Sequence, residues 1–135
     1  MLSAEYAELL ANLPLFAGLD RVRLAKVAAY LEPIAVRAGD TLCRQGDPPD
    51  GLYVISSGRF GIFGTPQDGS REVQFSTCRR GEAVGEIALL TAEARTATVR
   101  AQEDGEVLRL AQTRFMELVR QDPTVGLAIS AGLAR

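Results

Sequence analysis

The chain has 135 residues, of which 47% are hydrophobic and 24% are charged, and its formal net charge is −2. This composition predicts a folded domain with a real core and excludes a disordered chain. The negative net charge provides no basic surface for nucleic acid, and no apolar run approaches the roughly 20 residues that span a bilayer. The N-terminus also lacks the pattern of a signal peptide. We therefore predict a cytoplasmic segment, or the cytoplasmic part of a membrane-attached parent, without nucleic-acid contact or a membrane span.

The sequence contains no histidine and two cysteines, Cys43 and Cys78. Without histidine, the Ser-His-Asp and Cys-His nucleophile systems and the His-rich metal sites are excluded. The acidic pair Glu103-Asp104 precedes Gly105, which is typical of a turn and not of catalytic carboxylates. We interpret the cysteines as small buried hydrophobes in a reducing compartment, with a disulfide or a redox switch as the alternative. The expectation is a protein without enzymatic activity and without a metal.

Helical spacing of apolar residues predicts N-terminal helices within residues 1–33. Ser3 is a candidate cap for a helix over residues 4–13, and Asp20 for a second helix that Pro33 ends. The core-facing residues share the helical repeat. They are Leu9, Leu10, Leu13, Leu24, Val27, Ala28 and Leu31.

Between residues 34 and 111, short β-rich runs alternate with turn signals, and ten of the thirteen glycines lie between Gly39 and Gly105. The predicted strands are residues 34–36, 41–44, 52–56, 59–64, 72–78, 83–84, 96–101 and 106–111. Tight hairpins are predicted at Ser57-Gly58 and around Gln67-Asp68-Gly69. The pattern favours a mainly β, α+β fold: an eight-stranded antiparallel jelly-roll β-barrel flanked by helices.

After residue 111 the helical period returns and predicts C-terminal helices over residues 112–135. Thr113 is a candidate cap for the first, and Asp122-Pro123 is typical of the start of the second. The apolar residues of the last helix are Leu127, Ile129 and Leu133. Because no glycine stop or polar tail follows, we expect the chain to be a fragment of a larger protein.

The stretch over residues 83–101 has the composition of a phosphate cradle. Gly85 leaves room beside the backbone, and residues 86–90 are helix formers about one turn long, whose free amides favour an anion. Arg95 follows with a planar, permanently charged fork that is suited to a phosphate. The residues themselves therefore predict a site for one small phosphorylated ligand.

This stretch resembles the phosphate-binding cassette of the cyclic nucleotide-binding domain family, of the catabolite activator type. The matching residues are Gly85-Glu86-Ile87-Ala88-Leu89-Leu90 and Arg95-Thr96-Ala97-Thr98-Val99, within a cassette at residues 84–97. The likeness covers nearly the whole chain, through Gln45-Gly46-Asp47 upstream and Asp122-Pro123 downstream. Two positions depart from the common pattern: Val84, where many members have an aromatic residue, and Ala94, where many have proline.

The resemblance implies a set of ligand-binding residues around a cyclic nucleotide. Arg95 would hold the phosphate, and Glu86 would accept a hydrogen bond from the ribose 2′-hydroxyl. Thr96 would contact the phosphate or a guanine amino group. Ile62 and Phe75 would line the base and sugar, with core packing as the alternative. Gly85, Ile87, Ala88 and Ala97 complete the predicted set.

The resemblance also implies a regulatory role. The domain would sense cAMP, or less favourably cGMP, and its C-terminal helix would act as a lid that relays binding to a covalently attached effector domain. A homodimer through the C-terminal helix is one arrangement that the resemblance allows. The alternatives are a degenerate copy that serves as an interaction or dimerisation module, and, least favoured, a β-barrel enzyme.

Overall fold

A computed structural model describes residues 2–66, 68–85 and 94–133. The helices of this part are α1 (Leu2–Ala11), a 3-10 turn (Pro14–Phe16), α2 (Arg21–Ala28), α3 (Gln112–Gln121) and α4 (Pro123–Leu133). The strands are β1 (Glu32–Val36), β2 (Thr41–Cys43), β3 (Gly51–Ser57), β4 (Arg59–Gly64), β5 (Val73–Arg79), β6 (Ala83–Val84), β7 (Thr98–Ala101) and β8 (Gly105–Ala111).

The strands form two antiparallel four-stranded sheets with the orders β1-β8-β3-β6 and β2-β7-β4-β5. The predicted fold class, mainly β with antiparallel sheets flanked by helices, is confirmed. Each of the eight predicted strands has a counterpart, with differences of one or two residues at most ends. The connection from β6 to β7 carries the predicted cassette and links the two sheets.

The turn at Gly58 differs from its prediction. Gly58 has a φ of +93°, as a tight turn requires, but it is not the tip of a hairpin. Strand β3 pairs with β6 and β8, whereas β4 pairs with β5 and β7, so the chain changes sheets here. A side chain at Gly58 would lie 3.1 Å from the carbonyl oxygen of Asp104, in the connection from β7 to β8, which also passes from one sheet to the other. The second predicted hairpin, around Gly69, does join the paired strands β4 and β5.

The two faces of β3 serve two separate cores. Leu52 and Val54 pack against the helices, together with residues of β8. Tyr53 and Ile55 point the other way, into the space between the sheets. Alternation along a strand produces this division, and it explains why β3 is apolar on both faces. The core between the sheets continues directly into the predicted ligand site.

Several predicted helix boundaries are corrected by the structure. Asp20 does cap α2, since its carboxylate accepts a hydrogen bond of 2.9 Å from the backbone N–H of Arg23. Pro33, however, lies within β1 and not at a helix end, which is tolerated because β1 is an edge strand. Ser3 and Thr113 lie inside α1 and α3, so neither is the predicted cap.

Candidate functional site

The predicted cassette borders a cavity of about 220 Å³ at the junction of the two sheets. Its described lining comes from β2, β4, β6, β7 and the residues that flank β6 and β7. The lining residues are Cys43, Ile62, Ala83, Val84, Gly85, Arg95, Thr96, Ala97 and Val99.

One wall of the cavity is a row of apolar side chains across three neighbouring strands. Val99 on β7 pairs with Cys43 on β2 and with Ile62 on β4. Residues paired across antiparallel strands point to the same face, so the three side chains form one continuous surface. This surface suits the apolar part of a ligand.

Gly85 lies in close contact with Arg95, which also lines the cavity. Its φ is +81°, which favours glycine. A Cβ atom at this position would overlap Nη1 of Arg95 and would lie 2.9 Å from the carbonyl oxygen of Gly51. The absence of a side chain therefore lets the arginine lie directly against the backbone that follows β6.

Arg95 is buried, with 8% of its surface exposed. Its Nη2 donates hydrogen bonds to Oδ1 of Asp50 at 2.5 Å and to the carbonyl oxygen of Gly51 at 2.6 Å. Its backbone is fixed as well, because its N–H donates to the carbonyl oxygen of Asp47 at 2.7 Å and its carbonyl oxygen accepts from the N–H of Gly46 at 2.8 Å. Among the described residues, Nε has no hydrogen-bond partner. Hydrogen bonds therefore fix the guanidinium of Arg95 beside the cavity, and its Nε remains a donor without a partner among the described residues.

Asp50 organises the groups around this cation. Its Oδ2 accepts a hydrogen bond of 2.9 Å from the hydroxyl of Tyr53 and lies 3.8 Å from Nε of Arg109. The guanidinium carbon of Arg95 lies 5.6 Å from the centre of the Tyr53 ring. Burial, followed by the hydrogen bond to Asp50, raises the pKa of Tyr53 to about 12. The tyrosine therefore stays neutral and keeps donating to the carboxylate.

Neither Asp50 nor the hydroxyl of Tyr53 was predicted as part of the site. The signal was present but weak: a buried arginine needs a counter-charge, and Asp50 immediately precedes β3 after two prolines. The sequence separation of 45 residues between Asp50 and Arg95 is why the pairing was missed.

The structure brings some of the predicted site residues together. Gly85, Arg95, Thr96, Ala97 and Ile62 all line the cavity.

Other predicted site residues do not line the cavity or lie outside the described residues. Phe75 is not among the described lining residues, is 62% exposed on β5, and lies so close to Gly64 that a side chain there would overlap its ring. Glu86, Ile87 and Ala88 lie outside the described residues, as does the predicted short helix.

The described residues contain neither a cluster of metal-ligating side chains nor a membrane-spanning helix. Across residues 2–66, 68–85 and 94–133, no group of three or more potential metal-ligating side chains is present. Within the same ranges, none of the helices is long and apolar enough to cross a bilayer.

Comparison with curated proteins shows relatives of two kinds. The chain is 31% identical over 126 residues to an uncharacterized NTE family protein of Mycobacterium tuberculosis, covering 93% of this chain and 21% of that protein. It is 33% identical over 114 residues to a cAMP-dependent protein kinase regulatory subunit of Emericella nidulans, covering 84% of this chain and 27% of that protein. The chain therefore spans about a quarter or less of these relatives.

Solved structures show the same fold. The N-terminal domain of a transcriptional regulator from Streptomyces coelicolor A3(2) matches with a TM-score of 0.85 and 33% identity, over 94% of this chain and 88% of that one. The catabolite activator protein of Thermus thermophilus matches with a TM-score of 0.77 and 32% identity, over 91% of this chain and 57% of that one. The family model described as "Cyclic nucleotide-binding domain" matches residues 33–122. The predicted resemblance is confirmed: the chain belongs to the cyclic nucleotide-binding domain family.

Proposed function

We propose that the cavity beside Gly85 binds cAMP, and that Arg95 holds the cyclic phosphate. The observation that carries this proposal is a permanently charged guanidinium, 8% exposed, whose Nε has no partner among the described residues. A buried charge with an unused donor is costly unless a ligand supplies an acceptor. A phosphate monoanion supplies both the acceptor and the counter-charge.

The contacts of Arg95 suit a phosphate grip. Nη2 is occupied by Asp50 and the carbonyl of Gly51. This anchoring leaves Nε without a partner among the described residues, and Gly85 lets the guanidinium lie against the backbone that follows β6. Asp50, which is about half exposed, holds the fork in place and only partly neutralises it. Pre-organisation of this kind lowers the entropic cost of binding.

The remaining contacts extend the proposal to the sugar and the base. Glu86 would accept a hydrogen bond from the ribose 2′-hydroxyl, with Ile87 and Ala88 beside it in the cassette. Thr96 is exposed at the cavity, where its hydroxyl is available to the phosphate or to a guanine amino group. Ile62 offers an apolar contact, and Phe75 lies on the adjoining strand β5 for the base. We favour cAMP over cGMP because relatives named for cAMP occur among the matches.

We further propose that the domain regulates an attached effector rather than catalysing a reaction. The relatives that it resembles are several times longer than this chain, so other domains accompany the matching segment in those proteins. Helix α4 is the proposed relay. Its Val125 and Ile129 are fully buried, while Leu127 is 73% exposed and available to contact the effector.

A thermal-shift series with cAMP, cGMP and AMP tests the proposal. A ligand that binds only the folded state raises the melting temperature by mass action, by the equivalent of about 2.7 kcal/mol at a hundredfold excess over its Kd. We expect cAMP to give the largest shift and AMP, which lacks the cyclic phosphate, to give little or none. No shift with either cyclic nucleotide would refute the proposal and favour an interaction module.

A further inference from the structure

Cys43 occupies a position in the cavity to which the proposed function assigns no role. It lies on β2, is 8% exposed, and lines the cavity together with Gly85 and Arg95. Its Sγ lies 3.9 Å from the carbonyl oxygen of Ala97, within the cassette. A ligand seated between Arg95 and the apolar wall would therefore cover this sulfur.

The local pairing explains why the thiol reaches the cavity. The register between β2 and β7 shifts between Thr41 and Cys43, so that Cys43 pairs with Val99. Both side chains then border the cavity. Arg95, whose buried Nε has no hydrogen-bond partner among the described residues, also lines this cavity, which is independent evidence that the space receives a ligand and is not only a packing defect.

The second cysteine provides an internal comparison. Cys78 lies on β5, pairs with Phe60, and is 3% exposed within the core between the sheets. It does not appear among the described residues that line the cavity. The structure shows no disulfide between the two cysteines.

We propose that Cys43 is a modification site for small uncharged electrophiles, and that the bound nucleotide and the modification exclude one another. This inference rests on the proposed function, since the nucleotide is the ligand that would cover the thiol. An electrophile enters the empty cavity and bonds to Sγ. The adduct then occupies space against the apolar wall that the ligand requires.

The reaction with methyl methanethiosulfonate illustrates the chemistry. The sulfur of Cys43 attacks the methylthio sulfur of the reagent, and a new mixed disulfide forms. The sulfur–sulfur bond of the reagent breaks, methanesulfinate leaves, and the thiol proton passes to the solvent. Burial raises the pKa of Cys43, opposed by the nearby charge of Arg95. Because the thiolate is the reactive form, labelling is expected to be slow and to need a small reagent.

The test is a labelling time course on the folded protein, read by peptide mass spectrometry. Without nucleotide, we expect Cys43 to be labelled at least about tenfold faster than Cys78, since Cys43 lines the cavity and Cys78 is not among its described lining residues. With cAMP at a hundredfold excess over its Kd, only about 1% of the protein molecules carry no nucleotide. Labelling of Cys43 should therefore slow by up to about 100-fold. Labelled wild type should lose cAMP binding in calorimetry. Reduction of the labelled protein with dithiothreitol, which removes the methylthio group from the sulfur, should restore it.

The outcomes separate the inference from the proposed function. If calorimetry on untreated protein shows cAMP binding but cAMP does not slow the labelling of Cys43, or if Cys78 is labelled as fast as Cys43, the inference is overturned. If neither cyclic nucleotide binds and Cys43 is still labelled faster than Cys78, the proposed function is refuted, but the claim that the thiol of Cys43 can be modified is supported. Retention of cAMP binding by fully labelled wild type would also overturn the exclusion.

Discussion

Substituting alanine for Gly85 tests the packing of the site directly. Two costs add. An L-residue held near φ +81° costs about 1–2 kcal/mol, because the left-handed region places Cβ against the backbone. The new Cβ would also overlap Nη1 of Arg95, so the guanidinium must move from its contacts with Asp50 and Gly51. Losing charge-assisted hydrogen bonds of this kind, partly screened by solvent, adds about 1–2 kcal/mol. We expect a total loss of about 2–4 kcal/mol in the free energy of unfolding.

Gly69→Ala is the matched control for this variant. Gly69 has nearly the same φ, +79°, but an added Cβ would meet no atom within 4 Å. It should therefore show the backbone cost alone, about 1–2 kcal/mol. Urea unfolding gives both free energies by linear extrapolation, and calorimetry gives the Kd for cAMP. Gly85→Ala should be less stable than the control and should bind cAMP at least about tenfold more weakly. Equal stability losses with unchanged binding would refute the described contact between Gly85 and Arg95.

Three further predictions follow from the polar groups of the site. Asp50→Asn should weaken cAMP binding by about three- to tenfold in calorimetry, because a neutral amide holds the guanidinium of Arg95 less firmly; stronger binding would mean that Asp50 competes with the ligand. The pKa of Tyr53 is raised to about 12, so the stability that it contributes is present below about pH 10 and is lost as the pH rises toward 12. In urea unfolding across this range, Tyr53→Phe should lose less stability than wild type, and parallel profiles would contradict the assigned cause. Thr96→Ala should weaken cGMP more than cAMP if its hydroxyl meets the guanine amino group, whereas equal weakening would place that hydroxyl on the phosphate.

The elements of the fold could be predicted where the signal is local. The cap at Asp20 and the strand β4 (Arg59–Gly64) depend on residue types and spacing within a few positions. The pairing of strands does not. Gly58 has the residue pattern of a hairpin, but its surroundings include Asp104, a contact 46 positions away that no local pattern reveals. Pro33 was misplaced for a related reason, since only the sheet order shows that its strand is an edge.

In the candidate site, too, local contacts could be predicted from the sequence, whereas contacts between distant residues could not. Gly85 and Arg95 belong to one continuous motif, and their predicted proximity agrees with the structure, although their roles toward a ligand stay predictions. Asp50 comes from a different loop, and its pairing with Arg95 depends on the sheets that bring the loops together. Phe75 was predicted from resemblance alone. Its high exposure on β5 reflects its position on an edge strand, beyond the described lining of the cavity.

The affinity of Arg95→Ala for cAMP tests the central claim most directly. Removing one partner of a desolvated charge pair costs roughly 3–5 kcal/mol, which is at least about two decades in Kd. Arg44→Ala, which removes an exposed arginine from the same region, provides the control for net charge. Calorimetry on both variants, after circular dichroism shows that each is folded, should give a loss of at least about a hundredfold for Arg95→Ala and less than about threefold for Arg44→Ala. A loss below about threefold for Arg95→Ala would contradict the assignment of the phosphate to this arginine.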